Sequence, residues 1–297
     1  MAGPYVSGLY TSLQVDSSGT PYIAYYLEYL DGPDALMVAY PANGDGNCGV
    51  GDVAGDWQCD LIQSGEGVGK YASLALDGDD HLHIAYYDAG NSDLWHATSR
   101  TGSNCGPGGN TWTCYSVTGA TSDVSQYASM YVDSEDHFHI AYYDATNDML
   151  KYAVDVGSGG NCGILGSAQC DEIDGMMQGY NPVGLSMAED AAGYPIIAYQ
   201  DQDGALNVAR PLAALDLPSG GGNCGPEEFF TTWSCQTLDP PGKWTPYRNG
   251  DYVSLAVSPS GLATIAYYRY YNTPARGNLM VACQRFPIFL PAVMIDQ

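Results

Sequence analysis

The chain repeats itself five times, and nothing else in it limits the fold as strongly. Ile-Ala-Tyr-Tyr begins at Ile23, Ile84, Ile140 and Ile265, and Ile-Ala-Tyr-Gln begins at Ile197. A serine stands 11 residues before each isoleucine, at Ser12, Ser73, Ser129, Ser186 and Ser254. Tyr10, Tyr71, Tyr127 and Tyr252 precede four of those serines by two residues. Leu36, Leu94, Leu150, Leu206 and Leu279 open a third apolar segment in each unit. Successive repeats start 61, 56, 57 and 68 residues apart.

Each unit reads as four short strands. In the second unit these are Tyr71–Asp77, Leu82–Asp88, Leu94–Thr98 and Trp112–Val117, with Gly78-Asp79-Asp80 and Ala89-Gly90-Asn91 as turns. Ile84 and Tyr86 face one way, Ala85 and Tyr87 the other, and both sets are apolar or aromatic. Both faces of each sheet are therefore expected to be buried. A four-stranded sheet covered on both faces, recurring about every 60 residues, fits a propeller blade. The expected fold is all-β, a five-bladed β-propeller of four-stranded antiparallel blades over residues 1–285. Its repeats lie near 10–62, 71–117, 127–173, 182–238 and 252–285. The fifth unit has no recognisable fourth strand. Either the tail segment Phe286–Val293 or the N-terminal Pro4-Tyr5-Val6 would supply it and close the ring. The apolar tail, 286–297, would then close blade five or contact a neighbouring subunit.

Composition narrows the partners. With 9 Lys+Arg against 34 Asp+Glu the net charge is −25, which repels phosphate backbones and anionic membranes. No apolar run is long enough to span a bilayer. The N-terminus shows no basic region or apolar core, so no leader is read there.

Of nine cysteines, eight form local pairs: Cys48/Cys59, Cys105/Cys114, Cys162/Cys170 and Cys224/Cys235. Each first member follows Gly-Asn or Ser-Asn and precedes glycine, and each second member is expected to start a fourth strand. The ends of a hairpin loop lie close enough for a disulfide. The spacings are too long for a zinc knuckle. Four disulfides place the chain in an oxidising compartment, so it is expected to be secreted or at a cell surface. Cys283 is left over, either as a buried thiol at a strand end or as a partner in an intermolecular disulfide.

The repeat, as in Tyr71-Ala72-Ser73-Leu74-Ala75-Leu76-Asp77 followed by His83-Ile84-Ala85-Tyr86-Tyr87-Asp88, resembles secreted bacterial β-propeller repeat proteins. These are loosely grouped with sialidase-type (BNR-like) propellers and are mostly uncharacterised. The resemblance covers about residues 10–284 and implies a fold, hardly a function. The sialidase Asp-box, Ser-x-Asp-x-Gly-x-Thr-Trp, is not present as written, so no sialidase residue carries over.

A serine present in every unit reads as a fold element whose hydroxyl bonds a neighbouring backbone. The histidines, His81, His83, His96, His137 and His139, fall in units two and three only; the equivalent His83 and His139 read as a polar strand edge near solvent, with a metal site shared between the two units as the alternative. Asp16, Asp77, Asp133 and Asp190 end first strands and suit tight turns, with calcium as a candidate cofactor.

Symmetry breaks in units one and five. The segment between second and third strands is enlarged only there, and the connection into unit five, Asp239–Gly250, is also long. These segments carry Glu28, Tyr29, Trp244, Tyr247, Arg248, Arg269, Tyr270 and Tyr271. Aromatic faces with arginine and carboxylate suit an open carbohydrate site. The same residues would equally brace the ring seam. Asp88, Asp144 and Asp201 are mutually equivalent, so nothing singles out the acid and nucleophile of a glycosidase. The sequence therefore favours a secreted, non-catalytic, lectin-like propeller with glycan or cell-surface polysaccharide as partner. The alternative is a subunit of an extracellular filament or surface layer, self-associating through the tail.

Overall fold

The computed structural model describes residues 5–49, 55–119, 124–175, 184–217, 222–224, 232–240, 247–272, 275–285 and 288–294. Among these residues it holds five four-stranded sheets. The first comprises β1 (Tyr5–Val15), β2 (Pro21–Tyr29), β3 (Asp34–Pro41) and β4 (Trp57–Gly65). The second comprises β5 (Val68–Leu76), β6 (Leu82–Asp88), β7 (Asp93–Thr98) and β8 (Thr113–Ser116). The third comprises β9 (Val124–Val132), β10 (Phe138–Asp144), β11 (Met149–Asp155) and β12 (Ala168–Gly175). The fourth comprises β13 (Leu185–Glu189), β14 (Pro195–Gln200), β15 (Leu206–Pro211) and β16 (Trp233–Asp239). The fifth comprises β17 (Tyr247–Val257), β18 (Ala263–Asn272), β19 (Ala275–Arg285) and β20 (Ile288–Met294). Each sheet is a simple meander in chain order. The apolar tail supplies β20, which pairs antiparallel with β19, and β1 belongs to the first sheet.

The chain divides into two compact units, Met1–Ile140 with Ala153–Cys170, and Ala141–Tyr152 with Asp171–Gln297. In the first unit, Ala24, Leu36, Val38 and Ile62 of the first sheet pack on Leu74, Ile84, Tyr86 and Ala97 of the second. In the second unit, Ala198, Leu206 and Val208 of the fourth sheet pack on Leu255, Ile265, Tyr267 and Met280 of the fifth. The repeated isoleucine and leucine are thus sheet-to-sheet contacts, each contributing about 1.5–3 kcal/mol when fully buried. Gly69 serves the same contact. It sits at φ +99°, and a Cβ there would come 2.7 Å from the Cα of Leu36.

Two polar stitches accompany the packing. The hydroxyl of Ser12 accepts the Leu74 N–H at 2.9 Å, and that of Ser73 accepts the Met130 N–H at 3.0 Å. In the second unit Ser186 accepts the Leu255 N–H at 3.0 Å. The serine therefore bonds the first strand of the following sheet, as the sequence reading expects. The first tyrosine of Ile-Ala-Tyr reaches the other way. Tyr86 donates to Gln63, Tyr199 to Asp174 at 2.5 Å, and Tyr267 to Asp239 at 2.6 Å. Each acceptor stands four residues after the second cysteine of the preceding sheet. Each stitch is worth about 0.5–1.5 kcal/mol, more where the acceptor is a carboxylate.

Both the turns and the disulfides are built by side-chain hydrogen bonds. Oδ1 of Asp77 accepts the N–H groups two and four residues on, at 3.0 and 2.8 Å, and Asp16, Asp133 and Asp190 do the same. All four local disulfides form. Cys48–Cys59, Cys105–Cys114, Cys162–Cys170 and Cys224–Cys235 have Cα separations of 5.9, 6.0, 5.8 and 5.0 Å. The asparagine before each first cysteine holds the second one by both backbone groups. Asn104 accepts from Cys114 N–H at 2.8 Å and donates to its carbonyl at 2.9 Å. Asn47 holds Cys59, Asn161 holds Cys170 and Asn223 holds Cys235 in the same way. The amide side chain mimics one more strand residue and brings the two sulfurs together.

Two expectations about the cysteines are corrected. Cys59 and Cys235 do not start their fourth strands; they lie two residues inside β4 and β16, which begin at Trp57 and Trp233. Pairing begins earlier because Trp57 already faces Pro41 and Trp233 faces Pro211, which puts Cys59 opposite Ala39 and Cys235 opposite Ala209. Cys114 and Cys170 are likewise inside β8 and β12, not at their first residues. Cys283 is an exposed thiol on β19, not the buried one that its place at a strand end suggested.

One face at each end of the series is uncovered. In the first unit Leu13 is 56% exposed, although Leu74 and Met130, which hold the same place in their sheets, are buried. The face beside it forms a cleft of about 580 Å³ lined by Ile23, Tyr25, Tyr29, Trp57 and the Cys48–Cys59 bridge. In the second unit Leu279 is 58% exposed, although its counterpart Leu206 is fully buried.

Candidate functional site

The enlarged segments of the first and fifth repeats are strand extensions, not loops. β18 and β19 pair without interruption from Thr264↔Cys283 to Asn272↔Ala275. β17 joins them, with Tyr247 opposite Tyr271, Arg248 opposite Tyr270 and Asn249 opposite Arg269. Five of the predicted site residues therefore occupy adjacent register positions at one end of the fifth sheet. In the first sheet Glu28 lies opposite Val6 and Tyr29 opposite Tyr5, again at the sheet's end. Trp244 lies outside the described residues.

Arg269 is already engaged. It is half-buried, donates from Nε to Asn249 Oδ1 at 2.8 Å, and pairs through Nη2 with Asp239. Asp239 also takes the Tyr267 hydroxyl. Asn249 in turn donates to the carbonyls of Asp239 and Pro240, at 3.3 and 2.9 Å. Gln200 donates to the Asn249 carbonyl at 2.8 Å and to Asp251 at 2.9 Å. This network joins the fourth and fifth sheets, not the seam between the first and fifth. In the first sheet Asp34 plays a similar part, accepting from Tyr29 N–H at 3.1 Å and from Gly67 N–H at 2.8 Å.

A second aromatic group was not singled out by the sequence reading. The rings of Tyr10 and Tyr71 lie 4.4 Å apart and those of Tyr71 and Tyr127 4.5 Å, so the three form a ladder across three first strands. Burial, then the neighbouring phenols of Tyr127 and Tyr10, hold the Tyr71 pKa well above the usual tyrosine range. A second tyrosine, Tyr26 or Tyr87, backs the ladder rings, and Lys70 Nζ stands 5.5 Å over the ring of Tyr26. Tyr10 is 41% exposed. In the second unit Tyr252 holds the same place beside Tyr268.

The ladder is held by strained backbone. Tyr10, Tyr71, Tyr127 and Tyr252 have φ of 51, 55, 57 and 53°, a left-handed conformation costing a bulky residue about 1–2 kcal/mol. The cause is a bulge. Ser12 faces Ala24 and Leu9 faces Tyr26, so Tyr10 and Thr11 together oppose Tyr25. The same shift occurs at Tyr71 and Tyr252. The fourth sheet does without it. There Gly184 replaces the tyrosine, Ser186 faces Ala198, Leu185 faces Tyr199, and Gln200 N–H donates to the Gly184 carbonyl at 3.0 Å. Ser186 still makes its stitch. The serine bond therefore does not require the bulged tyrosine.

Three of the histidines, His83, His96 and His139, are buried rather than at a strand edge near solvent, whereas His81 and His137 are partly exposed beside their turns. His83 and His96 are buried, with Nδ1 of His83 3.1 Å from Nε2 of His96. Asp77 lies 3.4 Å from the other nitrogen of His83, and the Tyr115 hydroxyl 2.9 Å from the other nitrogen of His96. Burial lowers both histidine pKa values, most for His96, against the pull of Asp77 on His83. Groups with a folded pKa below the unfolded value give stability that is complete above the unfolded value, near 6.5, and is lost as pH falls below it. Thermal melts are thus expected to shift down as pH falls from 7.5 toward 5, with a shallower slope in His96→Phe; a flat profile in the wild type contradicts the buried neutral pair.

The carboxylates considered for chemistry are committed locally. Asp88 and Asp144 are buried and each accepts from the asparagine three residues on, and Asp144 also pairs with Lys151 at 2.7 Å. Asp201 accepts two turn amides and Asn207. Asp133, Glu135 and His137 bring ligand atoms within 4.8 Å of one another. One Asp133 oxygen there is taken by the turn, and calcium prefers six to eight oxygens, so this set fits calcium poorly. A cleft of about 300 Å³ beside Leu212, Leu217 and Trp233 buries the indole, leaving no open stacking face.

No protein-family model matches the chain, and no curated protein sequence matches it. Among solved structures, an ulvan lyase, a polysaccharide lyase, aligns with TM-score 0.57 and 10% identity over 99% of this chain and 74% of its own. The same lyase bound to -[GlcA(1-4)Rha3S]- gives 0.55 and 11% over 95% and 70%. An intramolecular trans-sialidase from Ruminococcus gnavus gives 0.42 and 13%, over 89% of this chain and 54% of its own. SapL1 lectin with α-methyl fucoside gives 0.34 and 12%, over 100% and 99%. The last two scores are too low to support an assignment. The lyase likeness is one of fold, an all-β chain of repeated sheets.

Proposed function

We propose that the chain closes into a five-bladed β-propeller that recognises glycan outside the cell without catalysis. The observation carrying the function is the register at the end of the fifth sheet, which sets Tyr247 opposite Tyr271 and Arg248 opposite Tyr270. Tyrosine rings cover the apolar faces of sugars, and a guanidinium bonds their hydroxyls. The fold it shares belongs to a lyase whose structure holds a saccharide. Four disulfides are compatible with an extracellular setting. Closure is supported by the uncovered faces bearing Leu13 and Leu279, since the equivalent faces within each unit are covered by another sheet.

A glycan array with wild type, Arg248→Ala and Tyr270→Ala tests the function. Binding by the wild type, weakened about tenfold in either variant, supports it. No binding to any glycan overturns it. The same uncovered faces favour the second reading, a filament or surface-layer subunit. Light scattering separates the two: a ring stays monomeric, whereas open ends assemble as concentration rises.

A further inference from the structure

We infer that the tyrosine ladder Tyr10–Tyr71–Tyr127 is a second glycan-binding element, separate from the end of the fifth sheet. The inference rests on the glycan reading above and adds a site to it. Its first ground is the internal control within the chain. The fourth sheet keeps the serine stitch with regular pairing and a glycine at this place, so the fold does not demand the bulged tyrosines. A strained residue the fold can dispense with points to function. The second ground is chemistry. The ladder sets three phenols side by side, and each hydroxyl can rotate to donate or accept, which matches the mixed donors and acceptors of a sugar. The ladder is reached from solvent at Tyr10, which is 41% exposed. The third ground is charge. A chain of net charge −25 disfavours uronate or sulfated polymers, which favours a neutral polymer as the ligand.

Affinity electrophoresis in gels cast with a neutral glucan, a neutral galactan or a polyuronate tests this. Wild-type protein is expected to be retarded by a neutral polymer and not by the polyuronate. Tyr10→Ala and Tyr71→Ala should weaken retardation about tenfold, and Tyr71→Phe, which keeps the ring and removes the central hydroxyl, should fall between. Melting temperatures check that the variants fold. Tyr71→Gly, which relieves the strain, should bind as poorly as Tyr71→Ala while melting no lower than it. Retardation unchanged in the ladder variants but lost in Arg248→Ala overturns the ladder and spares the wider reading. A wild-type protein retarded by none of the polymers overturns both, and retardation by the polyuronate alone overturns the neutral ligand.

Discussion

Reduction of the disulfides is expected to unfold the protein near physiological temperature. The four bonds close short loops, with separations of 11, 9, 8 and 11 residues. Each such loop contributes about 2–3 kcal/mol in the chain-entropy view. Together they approach the whole stability of an ordinary domain, about 5–15 kcal/mol. Guanidinium unfolding with and without reductant measures this. A large fall in midpoint is expected, and an unmoved midpoint would show that the sheets stand without their staples. The double variant Cys105→Ala/Cys114→Ala should lose about a quarter of the total.

The second large effect lies in the repeated leucine. Leu94→Ala removes a fully buried side chain and should cost about 2–5 kcal/mol. Leu206→Ala should cost the same. Leu279→Ala is the informative partner, because that side chain is exposed where its four counterparts are buried. A closed ring covers it, and the substitution then costs about as much as Leu206→Ala. If the face stays in water, the change falls within about 0.5 kcal/mol. Denaturant titration of the three variants side by side therefore tests closure without any ligand.

The sequence made the sheets legible because packing writes itself into residue type. Ile84, Tyr86 and Leu94 must be large and apolar in every repeat, and the serine must be small and hydroxylated. In the second repeat the second strand is observed as read, Leu82–Asp88, and the third begins one residue earlier, at Asp93. The first strand starts earlier than expected, at Val68, because pairing resumes beyond the bulge. That bulge was illegible: a left-handed φ at Tyr71 leaves no mark on residue type, where a glycine would have. The ends of the fifth sheet read as loops because Arg269, Tyr270 and Tyr271 break the apolar alternation, yet cross-strand pairing tolerates them. Arg269 was placed in the right neighbourhood with its role undecided, since only geometry reveals Asp239 as its partner. The cysteine pairs were legible from spacing, but the strand starts ahead of Cys59 and Cys235 were not, because a tryptophan facing a proline carries no strand signal of its own. The asparagine before each first cysteine was visible as a repeated letter without a reason.

The serine stitch has a direction. Ser12, Ser73 and Ser186 each offer a hydroxyl forward to an N–H of the next first strand, and the hydroxyls of Tyr86, Tyr199 and Tyr267 run counter to it. A sheet therefore carries everything it needs to join any copy of itself, and nothing in either bond records its position in the series. A gene segment encoding one sheet could be duplicated or lost and the remaining junctions would still match. The variation between units, from Gly184 in place of a tyrosine to the lengthened strands of the fifth, is then free to accumulate at the sheet ends while the joints stay constant. Such a chain grows by copying a part, and it specialises by editing the part's rim.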